Sequence, residues 1–249
     1  TGEFTTAAEI ALQNGSLDGW DGSSPNAATD SKFWDTSNEG AKMGGLTPTQ
    51  AVTDFVHTQG GKAAKLESGK VDLMGGIFAA ASLYTGSFGS TNIWTQTATV
   101  NFGQSFTARP IALKGFYKYT SNVINLVKNV PAGVTIVKDQ TLDQCAIYIA
   151  LAKKTYTIDN GNQSTFIDFK NDENIIAYGE LPSGAATEGD GYVEFNIPLK
   201  YKNLTDQPTH IIVVCSSSKY GDYMTGGAGS TLYVDDLSLI YDGTPTIWE

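Results

Sequence analysis

"STLYVDDLSLIYD", Ser230 to Asp242, has the composition of a β-strand and sets two carboxylates side by side in its middle. Side chains alternate across a strand, so Leu232, Val234, Asp236, Ser238 and Ile240 share one face, and Tyr233, Asp235, Leu237, Leu239 and Tyr241 share the other. Both faces are largely apolar and each carries one acid. A strand covered on both sides belongs inside a layered β structure. There each carboxylate must be paired, metal-bound or strongly hydrogen-bonded, because an isolated buried charge is costly.

Working back from that segment, the same pattern recurs. "ATVNFGQSF" (98–106), "RPIALKGFYKYT" (109–120), "QCAIYIALAKK" (144–154), "STFIDFK" (164–170), "NIIAYGELP" (174–182), "YVEFNIPLKY" (192–201) and "THIIVVCSSS" (209–218) are short runs bounded by Gly, Asn, Asp and Pro. Many alternate apolar with polar residues, as half-buried antiparallel strands do. Earlier strands are expected in "LQNGSLDGW" (12–20), "AVTDFVHT" (51–58) and "GKAAKLESGKV" (61–71). "DLMGGIFAAASLY" (72–84) is the best helical candidate, although its two glycines leave strand or loop equally open. No linker or internal repeat divides the chain. The expectation is one antiparallel β-sandwich of jelly-roll type over residues 12–249, all-β with few or no helices, and residues 1–11 as a linker or extension.

The chain has 249 residues, with 16 basic and 26 acidic ones, and a formal charge of −10. That balance argues against nucleic acid or an anionic membrane as partner, since both select clustered Lys and Arg. No apolar run is long enough for a transmembrane segment. Cys145 and Cys215 lie in apolar strand-like runs, without a neighbouring His or CxxC pattern. They read as buried thiols unless their strands bring them face to face. His57 and His210 have no sequence neighbour that makes a triad or metal site.

Candidate binding residues come from two contexts. Trp20, Trp34 and Trp94 stand in polar loop settings ("LDGWDG", "KFWDTSN", "TNIWTQT"), and Tyr117 and Tyr119 point the same way in "FYKYT". Sugar rings stack their C–H faces on such aromatics while their hydroxyls take hydrogen bonds from polar side chains. In "CSSSKYGDYMTGGAGS" (215–230) an apolar strand opens into Lys219, Tyr220, Asp222 and Tyr223, a cluster of the kind that binding loops carry. The expected binding surface is therefore Trp34, Tyr117, Tyr119, Lys219, Tyr220, Asp222 and Tyr223. No catalytic residue is assigned, although Glu180, Glu188, Asp190, Glu194 and Asp222 are the acids to test for a glycosidase pair.

"LQNGSLDGW" resembles the N-G-x-F-E-x-W first strand of galactose-binding-like carbohydrate-binding modules, with Leu17 and Asp18 where that pattern has Phe and Glu. "FWDTSN", "GKAAKLES", "RPIALKGFYKY", "IIAYGE", "FNIPLKY" and "SSSKYGDYMTGGAGSTLYVDDLSLIYD" resemble the putative carbohydrate metabolism domain of gut Bacteroidetes proteins. The resemblance implies a secreted or cell-surface β-sandwich that recognises a glycan, with immunoglobulin-like modules preceding it in the full protein. The alternatives it leaves are a glycan-processing enzyme and a structural or adhesive subunit. It also implies a structural Ca²⁺ held by Asp235 or Asp236 with oxygens from the Asn14–Asp18 region, Asp18 among them. The competing expectation is that the two aspartates bind backbone N–H groups, or Lys or Arg109.

Overall fold

The computed structural model describes residues 9–72, 76–92 and 94–248. Two sheets, antiparallel but for the parallel pairing of Lys200–Tyr201 with Thr246–Ile247 at one edge, pack face to face. One has the strand order Val193–Pro198, Ala112–Thr120, Thr231–Ile240, Ala63–Glu67 and Thr49–Val52. The other runs Tyr156–Asp159, Thr97–Phe102, Ser82–Asn92, His210–Ser216, Ala146–Ala152, Ile175–Glu180, Lys200–Tyr201 and Thr246–Ile247, with Trp34–Thr36 and Gln104–Ser105 paired to its centre. A small ribbon, Gly69–Val71 with Ile77–Ala79, lies apart. The α-helix of the described residues is a single turn, Asn38–Ala41. The sandwich expected from the sequence is the fold.

The main core lies between the sheets. Leu66, Leu113, Tyr119, Ile197, Leu232 and Val234 of the smaller sheet meet Leu83, Ile147, Ile149, Leu151, Ile211, Val213 and Cys215 of the larger. The larger sheet also buries its outer face, where Tyr84, Phe102, Ala150, Tyr156, Ile158, Ile212 and Val214 form a second cluster. This explains why "AIYIALA" and "HIIVVC" are continuously apolar: both parities of these central strands are covered.

The closing strand departs from simple alternation. Asp235 pairs with Phe116 and Ser238 with Lys114, so three steps on one strand match two on the other. Asp236 takes up the extra residue in the left-handed region, φ 48°, a conformation that aspartate tolerates better than most residues. Before this bulge the even-numbered Leu232 and Val234 face the core; after it the odd-numbered Leu237 and Leu239 do. Both faces looked apolar because the strand changes phase at the Asp-Asp step.

Several expected elements differ. Residues 12–20 form turns rather than a strand, with Asn14 and Leu17 at positive φ. The Asn14 side chain organises that turn, accepting from Gly19 N and donating to the carbonyls of Gly19 and Pro25. Of the strand expected at 51–58 only residues 51–52 form one, as the end of Thr49–Val52, and 164–170 is a 3-10 turn and loop. The helical alternative in 72–84 gives way to strands Ile77–Ala79 and Ser82–Asn92; residues 73–75 of that segment lie outside the described residues, as do 1–8. Cys145 and Cys215 are both buried free thiols, and burial pushes that of Cys145 up to about 12.

Candidate functional site

Strands Ser82–Asn92 and Thr97–Phe102 form a long hairpin within the larger sheet, bordering the cluster on its outer face. Its close pairing requires Gly86: a Cβ there would lie 2.0 Å from the Asn101 carbonyl oxygen. The strand ending at Ser216 then leaves the sheet into Ser217–Met224, which closes with a 3-10 turn at Gly221–Tyr223. Between hairpin and loop lies a cavity of about 370 Å³, within the range of about 300–1,000 Å³ for small-molecule clefts. Its apolar wall includes Phe78, Tyr84, Phe88, Phe102 and Tyr148; Asn92, Asn160, Ser216, Lys219 and Asp222 add polar groups.

The loop is held from beneath by a buried network. Asp143, 1% exposed, accepts from Ser218 Oγ at 2.5 Å and Gly227 N at 2.7 Å through one oxygen, and from Gln144 N at 2.8 Å through the other. Ser68 Oγ bonds to the hydroxyls of Ser217 (2.5 Å) and Ser218 (2.9 Å). The start and the end of the 217–227 excursion are thus tied to one carboxylate. Burial raises the Asp143 pKa while those donors oppose the rise.

Asp222 is the one carboxylate, and Lys219 the one cation, among the described residues lining the cavity. Asp222 keeps exposed surface while lining the cavity among apolar neighbours. Desolvation pushes its pKa up to about 6. Burial, with Asp222 and Glu180 as nearby negative charges, also raises the Tyr148 pKa well above that of a free phenol. The Tyr148 hydroxyl therefore stays a hydrogen-bond donor at neutral pH.

Of the residues expected to bind, Lys219 and Asp222 reach this cavity. Tyr220 and Tyr223 flank them outside the lining; Tyr223 packs edge-to-face on Phe166 with ring centroids 5.0 Å apart. Trp34 does not belong to a binding surface. It is fully buried and donates through Nε1 to the Gln13 carbonyl. Tyr117 and Tyr119 do point the same way, but that way is the core: Tyr119 is fully buried, and Tyr117 is half-buried against Phe195. Among the other acids, Glu194 pairs with Lys114 on the opposite sheet, and Glu188 and Asp190 are exposed outside the cavity. Glu180 lies across from Tyr148 on the neighbouring strand. Sequence reading did not single out Tyr84, Phe102 and Tyr148: Tyr84 ends the segment read as a helical candidate, Phe102 lies in an ordinary short strand and Tyr148 in a continuously apolar one, and only knowledge of which parity faces outward reveals them.

The two aspartates of the closing strand serve a different end of the molecule. Asp235 accepts from His57 N at 2.7 Å and Asp236 N at 2.8 Å. Asp236 accepts from the Thr58 hydroxyl at 2.6 Å and lies 2.7 Å from His57 Nδ1. Asp18 accepts from Lys62 N at 2.7 Å. Three carboxylates thus pin residues 57–62, and the His57 ring stacks on Phe116 with centroids 3.5 Å apart. This donor set does not fit calcium, which needs six to eight oxygens turned toward it; here N–H and O–H groups point at the carboxylates. No group of three or more His, Cys, Asp or Glu that could hold a metal ion occurs among the described residues. Arg109 lies elsewhere, donating to the carbonyls of Leu204 and Asp206.

A family model described as "Putative carbohydrate metabolism domain" matches residues 11–240. The chain belongs to this family. No curated protein matches it. Among solved structures, the putative carbohydrate metabolism domain is similar to a putative glycoside hydrolase from Bacteroides thetaiotaomicron VPI-5482, at 25% identity and a TM-score of 0.63. That alignment covers 85% of this chain but only 63% of the other. A putative glycoside hydrolase from Bacteroides vulgatus ATCC 8482 aligns at the same identity and TM-score, over 87% of this chain and 89% of that one. The protein is thus a carbohydrate-related β-sandwich domain. No helix among the described residues is long and apolar enough to cross a membrane.

Proposed function

We propose that the domain recognises carbohydrate, taking its ligand in the cavity between the 82–102 hairpin and the 217–224 loop. The observation that carries this reading is the division of that cavity: Phe78, Tyr84, Phe88, Phe102 and Tyr148 supply apolar surface for sugar C–H groups, and Asp222, Lys219, Asn92 and Asn160 supply partners for hydroxyls. The test is a glycan-array screen of the purified domain, followed by titration calorimetry of each hit against Asp222→Asn and Lys219→Ala. Specific binding weakened about tenfold or more by either change is expected, from loss of a charged hydrogen bond of about 1.5–3 kcal/mol. Binding that both variants leave unchanged would move the site elsewhere.

One feature favours a second reading, glycoside hydrolysis. A carboxyl group with a pKa near 6 suits a general acid at near-neutral pH, and Glu180 places a second carboxylate on the far side of Tyr148. Release of reducing sugar from a polysaccharide panel, abolished in Asp222→Asn and in Glu180→Gln, would establish an enzyme; full turnover in both variants would dismiss this pair.

A further inference from the structure

The cavity wall includes Thr91 and Asn92 on one arm of the hairpin and Gln96 and Thr97 on the other. Trp94 sits at the tip between them. It is 90% exposed, the most exposed large apolar side chain among the described residues. Beside it Asn92 Oδ1 accepts from Trp94 N at 3.0 Å and from Thr95 N at 3.2 Å, and the Thr95 and Thr97 hydroxyls meet at 2.7 Å. These bonds tie the Trp94 backbone to a residue of the cavity wall, which lowers the ordering cost of a ligand that uses both.

Outside the cavity lining, Phe169, Tyr178 and Trp248 are engaged with one another. Phe169 stacks on Tyr178 at 4.3 Å, Tyr178 stacks on Trp248 at 5.9 Å, and Lys202 lies 5.8 Å over the Trp248 ring. Trp34 is in the core, and Trp20 packs against it while donating to the Leu17 carbonyl. Trp94 alone of the four tryptophans presents open ring faces, and it does so beside a cavity too small for a long chain.

From this we infer that Trp94 is a second subsite of the same binding site: one end of an oligosaccharide occupies the cavity, and a following sugar ring stacks on the Trp94 indole outside it. The inference rests on the carbohydrate reading of the cavity and adds the class of ligand, an oligosaccharide bound by its end rather than a free monosaccharide.

The test is calorimetry on the whole domain with eight probes: glucose, galactose, xylose and mannose, and the linear β-1,4-linked trisaccharide of each. The wild type is expected to bind at least one trisaccharide about tenfold more tightly than its monosaccharide, the scale of one aromatic stacking contact. In Trp94→Ala that ratio should fall to about one, and Trp94→Phe should restore part of it. Substitution at so exposed a position leaves folding intact, which a melting curve checks. If a trisaccharide binds wild type and Trp94→Ala equally, the subsite is wrong while the carbohydrate reading stands. If the wild type binds none of the eight, the inference falls together with its premise for these sugars.

Discussion

The Tyr119 hydroxyl donates to the Ser217 carbonyl at 2.9 Å, joining the smaller sheet to the point where the larger sheet's central strand gives way to the cavity loop. Tyr119 is fully buried, so this contact fixes both the spacing of the layers and the origin of the loop. Tyr119→Phe keeps the ring and removes the bond. It should cost about 1–2 kcal/mol, read as a lower denaturation midpoint at unchanged m-value.

Asp143 is expected to be the more severe site. Asp143→Ala would strand the buried Gly227 N–H, free the Gln144 N–H and leave the Ser218 hydroxyl with Ser68 alone, at a cost of about 3 kcal/mol. Asp143→Asn retains acceptor capacity through one oxygen and should lose less. Urea unfolding of the two variants checks the order; equal losses would show that one oxygen alone does nothing for the network, which then needs both.

The closing strand's carboxylates should act without metal. Asp235→Ala is expected to lower stability by about 2–3 kcal/mol by orphaning two backbone N–H groups. Chelation with EDTA should leave the wild-type melting temperature where it was. A chelator-induced drop, reversed by added Ca²⁺, would reinstate the cation that the donor geometry speaks against.

The pH dependence has a definite sign. Asp222 has a pKa near 6 in the folded chain and about 3.9 when unfolded. Between those values the folded chain keeps a proton that the unfolded chain has released, so stability from this group declines as pH rises from about 4 to about 6. Asp168, Asp172 and Asp206, with lowered pKa values, act in the opposite sense, and their stability is lost as pH falls below about 4. Asp222→Asn should therefore be more stable than the wild type at pH 7, with the difference shrinking toward pH 4. Parallel melting curves across pH 4–7 would refute the shift. Asp143 and Asp235 also have raised values, but they are common to both proteins and cancel in the comparison.

Much of the sandwich was legible because periodicity and turn residues are local signals. "RPIALKGFYKYT", "YVEFNIPLKY" and "STLYVDDLSLIYD" each became strands. The loop 217–224, which brings Lys219 and Asp222 to the cavity, was legible because those residues interrupt an apolar run. Trp34 misled because a Trp in a polar stretch looks exposed, whereas its strand pairs with Thr85 in the covered sheet. The aromatic lining was illegible for the opposite reason. Tyr84 and Tyr148 sit among core residues of either parity, and only the long-range pairing that sets the hairpin and the 217–224 loop around that face opens a space there.

The bulge at Asp235–Asp236 has a bearing on how reliably the chain assembles. An ordinary strand can slip by two residues against its neighbours and still present the same side chains inward. The closing strand can do so only by carrying its bulge along, because its two halves follow opposite parities and only a change of phase at Asp236 turns Leu232 and Leu239 inward together. Such a slip would draw Asp235 and Asp236 away from His57 and Thr58, whose donors they accept. Lying in the middle of the five-stranded sheet, between Ala112–Thr120 and Ala63–Glu67, this segment thus ties the alignment of its neighbours to the anchoring of residues 57–58.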